Sequence, residues 1–316
     1  DLYLPSLPLI EADLGVSAGQ TQLSLALFFV GLALGQFFYG PLADRYGRRR
    51  PLLAGILLYG AATLICGLAT GIEALLVGRL IQGFGAAAGP VIARAVVRDL
   101  YSGRRAARMM SFVILVMTMA PLIAPVLGGW ISSQLGWRAV FAVLALFAVI
   151  CTAMLLIALY ETHPAERRPD ARLGQLFMAY GPILRDPVSL AYLGAGGMAF
   201  AALFAYVAGS PFVYTEVFGV SQAQFGYYFA LNVVGLLIGN LTNGQLVMRY
   251  GHRRMLSAGV LIMASAPAAL VALVAGAGGA PGVGAPPPFL GVGAGGVLAP
   301  PPPRGLRARH PPPAPA

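Results

Sequence analysis

The sequence predicts an all-α polytopic membrane protein built from two related helical bundles. Three observations carry that prediction. First, 58% of the 316 residues are hydrophobic and only 10% are charged, against about 25% charged in a soluble domain. A chain with a mean hydropathy of +0.77 cannot cover its surface in water, so its natural solvent is lipid. Second, the apolar residues gather into nine long runs separated by short polar connections. Third, arginines cluster in every second connection, the pattern left by the positive-inside rule.

The runs cover about 1–10, 22–42, 51–70, 74–95, 108–131, 138–160, 189–214, 223–247 and 254–275. All but the first match the roughly 20 residues that a spanning helix needs. They are too long and too uniformly apolar for soluble strands. The first run is short and the chain starts at Asp1 without a Met. The expectation is therefore a fragment that begins inside helix 1.

The connections fix the orientation. Residues 11–20 hold Glu11 and Asp13, and the next loop holds Arg45, Arg48, Arg49 and Arg50. Glu73 alone marks the third connection, followed by Arg98, Arg104, Arg105 and Arg108. The turn at 132–137 is uncharged, and the loop at 161–187 carries Arg167, Arg168, Arg172 and Arg185. Glu216 then precedes a last cluster of Arg249, Arg253 and Arg254. The basic loops are expected to be cytoplasmic, and helix 1 to run outward. The net charge of +10 follows from these loops and implies no nucleic-acid partner.

The loop at 161–187 is the longest polar connection and contains Pro164, Pro169 and Pro182. It divides an N-terminal bundle at 1–160 from a partial second bundle at 188–275. Residues 276–316 hold 12 of the 25 prolines and little besides Gly, Ala, Val, Leu and Arg. Regular helix is not expected there. A frameshifted reading of GC-rich DNA, replacing three more helices, would account for this tail. Cys66 and Cys151 belong to separate spans, so neither a disulfide nor a metal site is expected. His163, His252 and His310 fall in loops or the tail and are expected to be solvated.

An internal repeat supports two related halves. Residues 40–50 read GPLADRYGRRR and residues 244–254 read GQLVMRYGHRR, each after the second helix of its bundle. Gly40 suits close helix approach, and Gly47 a tight turn. Asp44 can pair with Arg45 or Arg48, or face a helix N-terminus. Asp99 is a second candidate partner for Arg48 or Arg49. The second copy keeps Gly244, Arg249, Gly251 and Arg253 but has Met248 where the first has Asp44.

Within the fourth run, Arg79 precedes Gln82, Gly83, Gly85, Ala86, Ala87 and Ala88. An Arg in an apolar span is functional by default, unless it lies near the helix end and snorkels. The small residues after it read as a helix-packing face. In the fifth run, Pro121, Pro125, Gly128 and Gly129 would kink the helix and allow close packing.

These motifs resemble the major facilitator superfamily. Gly40 to Arg49 matches the loop between its helices 2 and 3. The segment around Arg79 looks like its helix 4 motif, and Pro121 to Gly129 like the antiporter motif of its drug exporters. Asp1 to Pro8 and Ala93 to Tyr101 resemble the bicyclomycin-resistance (Bcr/CflA) subgroup of drug:proton antiporters. The resemblance is strongest over 1–160 and weaker over 188–275. It implies a two-bundle transporter with about nine of twelve helices present, in the bacterial inner membrane. It further implies export of small lipophilic drugs in exchange for protons, by a monomer that needs no cofactor beyond the proton gradient.

The resemblance assigns proton or substrate coupling to Asp1 and Arg79. It assigns a cytoplasmic latch to Gly40, Asp44, Arg45, Gly47, Arg48, Arg49 and Asp99, and a helix 5 hinge to Pro121, Pro125, Gly128 and Gly129. Two alternatives remain open: a carrier of a peptide, amino acid or sugar, and a non-functional membrane remnant. No Walker loop or catalytic constellation is present, so neither ATP-driven export nor enzymatic activity is expected.

Overall fold

The computed structural model describes residues 2–164, 166, 168, 173–178, 180–191, 193, 194, 196–198, 201, 207, 219, 221, 224, 227, 234 and 261. Every regular element among them is a helix. The chain clusters into two compact units. One comprises Asp1–Gly194 with Ala201–Val234, and the other Ala195–Phe200 with Gly235–Ala316. All elements below belong to the first. The second-half loop residues Gly244, Arg249, Gly251 and Arg253, with Met248, lie outside the described residues, as do Asp1, His252, His310 and the Pro-rich tail.

A 3-10 turn at Leu4–Ser6 leads into α1 (Leu7–Leu14), which stops at Gly15 in a left-handed conformation. Helix α2 (Ala18–Tyr46) opens with a capping box. The Gln20 N–H donates to Ser17 Oγ at 3.4 Å, and the Ser17 N–H donates to Gln20 Oε1 at 3.0 Å. Its 29 residues extend about 43 Å, enough to cross a bilayer and project beyond it. Then come α3 (Arg49–Gly67), α4 (Ile72–Ala86), α5 (Ala88–Leu100), α6 (Gly103–Leu135) and α7 (Trp137–Ala158). Two short helices, α8 (Leu173–Met178) and α9 (Gly181–Arg185), fall in the long polar loop.

The predicted runs up to residue 160 thus reappear as helices, the first as a 3-10 turn followed by α1, which continues to Leu14. The fourth is two helices, broken at Ala87. Pro90 explains the break, because it has no N–H to return to the Ala86 carbonyl. The backbone crosses this step with Ala87 N–H on Gly83 O and Val91 N–H on Ala87 O. By length and composition Ala18–Tyr46, Arg49–Gly67, Ile72–Leu100 and Trp137–Ala158 can each cross a membrane.

Glycines set the packing of α2 on α4. A Cβ on Gly31 would fall on the Leu80 carbonyl, and one on Gly83 on the Phe28 carbonyl. Gly85 meets Gly55 and Tyr59 of α3 in the same way. Backbones this close gain dispersion contacts that lipid cannot supply. Gly40 behaves otherwise: among the described residues a Cβ there would meet only the Tyr180 hydroxyl, at 3.3 Å, and no other helix backbone. Tyr180 and Phe177 stack on Phe37, with centroids 4.7 and 5.2 Å away.

The bundle is apolar outside as well as inside. Leu57, Leu64, Phe147, Val149 and Ile157 are all exposed, as expected where lipid is the solvent. Cys66 and Cys151 are both free thiols.

Opposite the arginine-rich loops, three helix ends are tied together. Arg138 Nη1 donates to Asp13 Oδ2 at 2.6 Å, Trp137 Nε1 donates to the same oxygen at 3.0 Å, and Arg138 Nη2 donates to Ala69 O. The Trp137 and Arg138 hydrogen bonds hold the Asp13 carboxyl below its usual pKa. Arg138, which the predicted limits put inside a span, therefore lies at the end carrying few charges, with its own charge balanced.

Candidate functional site

Two arginines organise the chemistry, one at the basic end and one inside the bundle. Arg48 follows Gly47, whose positive φ of 86° turns the chain between α2 and α3. A Cβ on Gly47 would collide with the Glu161 and Arg168 side chains. The Arg48 side chain is only 7% exposed. Its Nη1 donates to Asp44 Oδ1 at 2.7 Å, back across the Gly47 turn on the last turn of α2. Nε and Nη2 donate to the two oxygens of Asp99 at 2.8 and 3.4 Å. This is the fork-on-fork geometry that favours Arg over Lys. Burial works against the guanidinium charge, but Asp99 and Asp44 outweigh it and raise the Arg48 pKa.

Of the sequence-level options, Arg48 and not Arg45 pairs with Asp44, and Arg48 and not Arg49 takes Asp99. Arg45 lies over the Tyr46 ring. Arg49 instead donates from Nη2 to Leu156 O at 2.9 Å, near the α7 C-terminus, where a cation is favoured.

Glu161 belongs to this cluster and was not anticipated. Its Oε1 accepts from the Arg48 N–H at 2.8 Å and the His163 N–H at 3.0 Å, and its Oε2 accepts from the Arg49 N–H at 3.3 Å. It thus caps α3 across the bundle, the work usually done by a local N-cap side chain. Burial disfavours its charge, yet these donors and Arg168 hold its pKa below the usual carboxylate value. The only advance signal was an acid directly after the sixth apolar run. His163 is not simply solvated: it is half-buried, and its Nε2 has no hydrogen-bond partner among the described residues.

Arg79 lies in α4 and is 4% exposed, so it does not snorkel. Its guanidinium is sandwiched between the rings of Tyr3 and Phe28, at 4.3 and 4.2 Å. Nη1 donates to Gln82 Oε1 at 2.5 Å, Gln82 Nε2 donates to Thr63 Oγ1 at 2.7 Å, and Thr63 Oγ1 donates to Tyr59 O at 2.6 Å. Tyr3 is held by a 2.6 Å hydrogen bond to Ser24. Arg79 Nε is buried with no hydrogen bond among the described residues. Cation–π contacts and one amide are modest compensation for a buried charge.

Helix α6 runs unbroken from Gly103 to Leu135, through both Pro121 and Pro125. Pro125, Gly128 and Gly129 are buried, while the Pro121 side chain is outside the description. A Cβ on Gly128 would strike the Leu2 carbonyl, so this helix packs directly on the N-terminal segment that carries Tyr3.

Comparison with known proteins places this architecture. The family model of the Major Facilitator Superfamily matches residues 1–315. An uncharacterized MFS-type transporter, YdgK, of Bacillus subtilis is 37% identical over 247 residues, covering 78% of this chain and 61% of that one. A bicyclomycin resistance protein homolog of Haemophilus influenzae is 34% identical, covering 81% and 64% respectively. The chain therefore spans about three-fifths of the length of these relatives. A D-xylose-proton symporter has the same fold, with a TM-score of 0.71 at 16% identity over 94% of this chain and 76% of that one. A glycine-packed apolar helical bundle with this match over nearly its whole length is a multi-pass membrane protein, and the chain belongs to the Major Facilitator Superfamily.

Proposed function

We infer that the protein exports small lipophilic drugs across the bacterial inner membrane in exchange for protons. The observation that carries this reading is Arg79, a guanidinium buried among rings and an amide inside a membrane-spanning helix, its Nε without a hydrogen bond among the described residues. A charge in that setting is costly and marks an ion or substrate pathway. The bicyclomycin-resistance name of the Haemophilus relative supports a drug as the substrate.

Asp1 stands two residues before Tyr3, whose ring covers Arg79. Its carboxylate would take up the proton, and the fixed Arg79 charge would favour releasing it as a cationic or neutral drug leaves. The arginine-rich end is cytoplasmic under the positive-inside rule. There Gly40, Asp44, Arg45, Gly47, Arg48, Arg49 and Asp99, with Glu161, form a latch that closes that side when the transporter opens outward. Gly244, Arg249, Gly251 and Arg253 are its weaker counterpart in the second half. Pro121, Pro125, Gly128 and Gly129 would serve as the hinge that lets α6 move. The unit works as a monomer, and the proton gradient is its only energy source.

The test is antibiotic tolerance in an efflux-deficient bacterium expressing the gene that encodes this chain. Tolerance should rise, and should collapse both with a proton uncoupler and in Arg79→Gln. If tolerance never changes while another solute is moved in an uncoupler-sensitive way, a carrier of that solute replaces the drug exporter. If nothing is moved, the remnant reading stands.

A further inference from the structure

We propose that the groove between α3 and α7 binds an anionic phospholipid, with an acyl chain in the groove and the phosphate on Arg50. The groove encloses about 570 Å³, within the range of small-molecule sites. From α3 it is lined by Ile56, Leu57, Gly60, Ala61 and Leu64, and from α7 by residues including Ala145, Ala148, Ala153 and Leu156. Small side chains hollow it out, and Gly60 over Ala148 forms its floor, where an added Cβ would lie 3.3 Å from the alanine methyl. A second cavity of about 360 Å³ shares Ile56 and Ala148 with it and reaches inward to Tyr59 and Cys151.

The lining selects hydrocarbon. Its one hydroxyl, Thr152 Oγ1, already donates to Ala148 O at 2.8 Å. No polar side chain is left to orient a polar ligand.

One end of the groove selects charge. Arg50, Ala54, Leu57, Ala61 and Leu64 follow spacings of four, three, four and three residues, so they share one face of α3. Arg50 to Leu64 spans about 21 Å of helix, somewhat more than half of a hydrocarbon core about 30 Å thick. A lipid with its headgroup at Arg50 would therefore lay its chain along Leu57 to Leu64. Arg50 is exposed and makes no hydrogen bond or ion pair among the described residues. Beside it Arg49 is fixed to the Leu156 carbonyl at the same end of the groove. Tyr160 lies one turn beyond Leu156 and is 81% exposed, the placing of an interfacial aromatic anchor. A phosphate meeting Arg50 would complete a charge-assisted pair that the protein itself leaves open. Nothing in this depends on the transported substrate or on which side of the membrane the basic end faces.

Native mass spectrometry of the full chain, released from micelles holding equal phosphatidylglycerol and phosphatidylethanolamine, tests it. Wild-type protein should retain phosphatidylglycerol about fivefold over phosphatidylethanolamine, because both present a phosphate to Arg50 but the ammonium of the second offsets the attraction of one basic residue. Arg50→Gln should bring the ratio near one, and Arg50→Lys should restore much of it. Ala61→Trp, which fills the groove, should cut retention of both lipids. Equal retention of the two lipids by wild type, or an unchanged preference in Arg50→Gln, overturns the proposal. So does a dimer held in place of lipid and dispersed by Ala61→Trp, which would give the groove to a second copy. If Ala61→Trp does not fold, Arg50→Gln, an exposed change, decides alone.

Discussion

Arg48 and Arg79 are equally buried, yet their surroundings differ in kind. Arg48 meets two carboxylates, one of them through a two-bond fork. Arg79 meets two ring faces and a neutral amide, and its Nε has no acceptor among the described residues. The first charge is balanced where it stands, so its energy goes into holding α2, α3 and α5 together. The second meets no counter-charge among the described residues, so its energy is available to whatever anionic or proton-bearing group enters. Burial alone separates neither role; the partners do.

The largest expected effect comes from removing each charge with a side chain of similar size. Arg48→Met leaves Asp44 and Asp99 facing one another without a cation, and should cost about 3 kcal/mol or more. Arg79→Met removes an under-compensated charge and leaves Gln82 still bonded to Thr63. Its stability should hold or rise by about 1 kcal/mol, while uncoupler-sensitive transport is lost. Unfolding free energies in mixed micelles, read beside transport, check both. Equal destabilisation by the two variants would erase the contrast and make Arg79 a structural residue.

The sequence shows local features and misses distant ones. The apolar runs were readable because a lipid solvent demands them whatever the tertiary contacts. A partner for Asp44 among Arg45 and Arg48 was readable because they are close in sequence, but the Gly47 turn, not a helix, selects Arg48. The break at Ala87 is encoded by Pro90 but was masked by the apolar run continuing through it. Glu161 reaches Arg48 across 113 positions, and Asp13 reaches Arg138 across 125. No periodicity links such pairs; only the fold brings them together. Gly40 was given the close helix approach that belongs to Gly31, Gly83 and Gly85, because spacing shows that a glycine is present but not what lies opposite it.

A middle-sized effect belongs to Glu161, which sharpens the basic-end half of the comparison. Glu161→Gln keeps the size and one acceptor but loses the charge, and should cost about 1–2 kcal/mol near neutral pH. The sign of its pH dependence follows from the lowered pKa. A carboxylate with a folded pKa below its unfolded value of about 4.3 stabilises above that unfolded value. The stabilisation then fades as pH falls through the folded one. Unfolding measured on an acid series should show wild type and Glu161→Gln converging below about pH 4. A gap that stays constant through that range would mean the cap works by shape and not by charge.

The smallest effect is expected at Asp44, and it separates holding from gating. Its side chain is 53% exposed, although its 2.7 Å bond to Arg48 is among the shorter ones in the cluster. A pair with one partner this exposed contributes about 0.2–1 kcal/mol, and salt should screen much of that. Asp99 is only 18% exposed and grips Arg48 through two bonds, so Asp99→Asn should cost more and respond less to salt. Asp44→Asn should therefore barely move the unfolding free energy, and less still at high salt. If transport nonetheless drops sharply in Asp44→Asn, Asp44 acts on the balance between open and closed states, with a stronger partner in the state not seen here. If transport is also unchanged, the Arg48–Asp99 fork carries the latch alone.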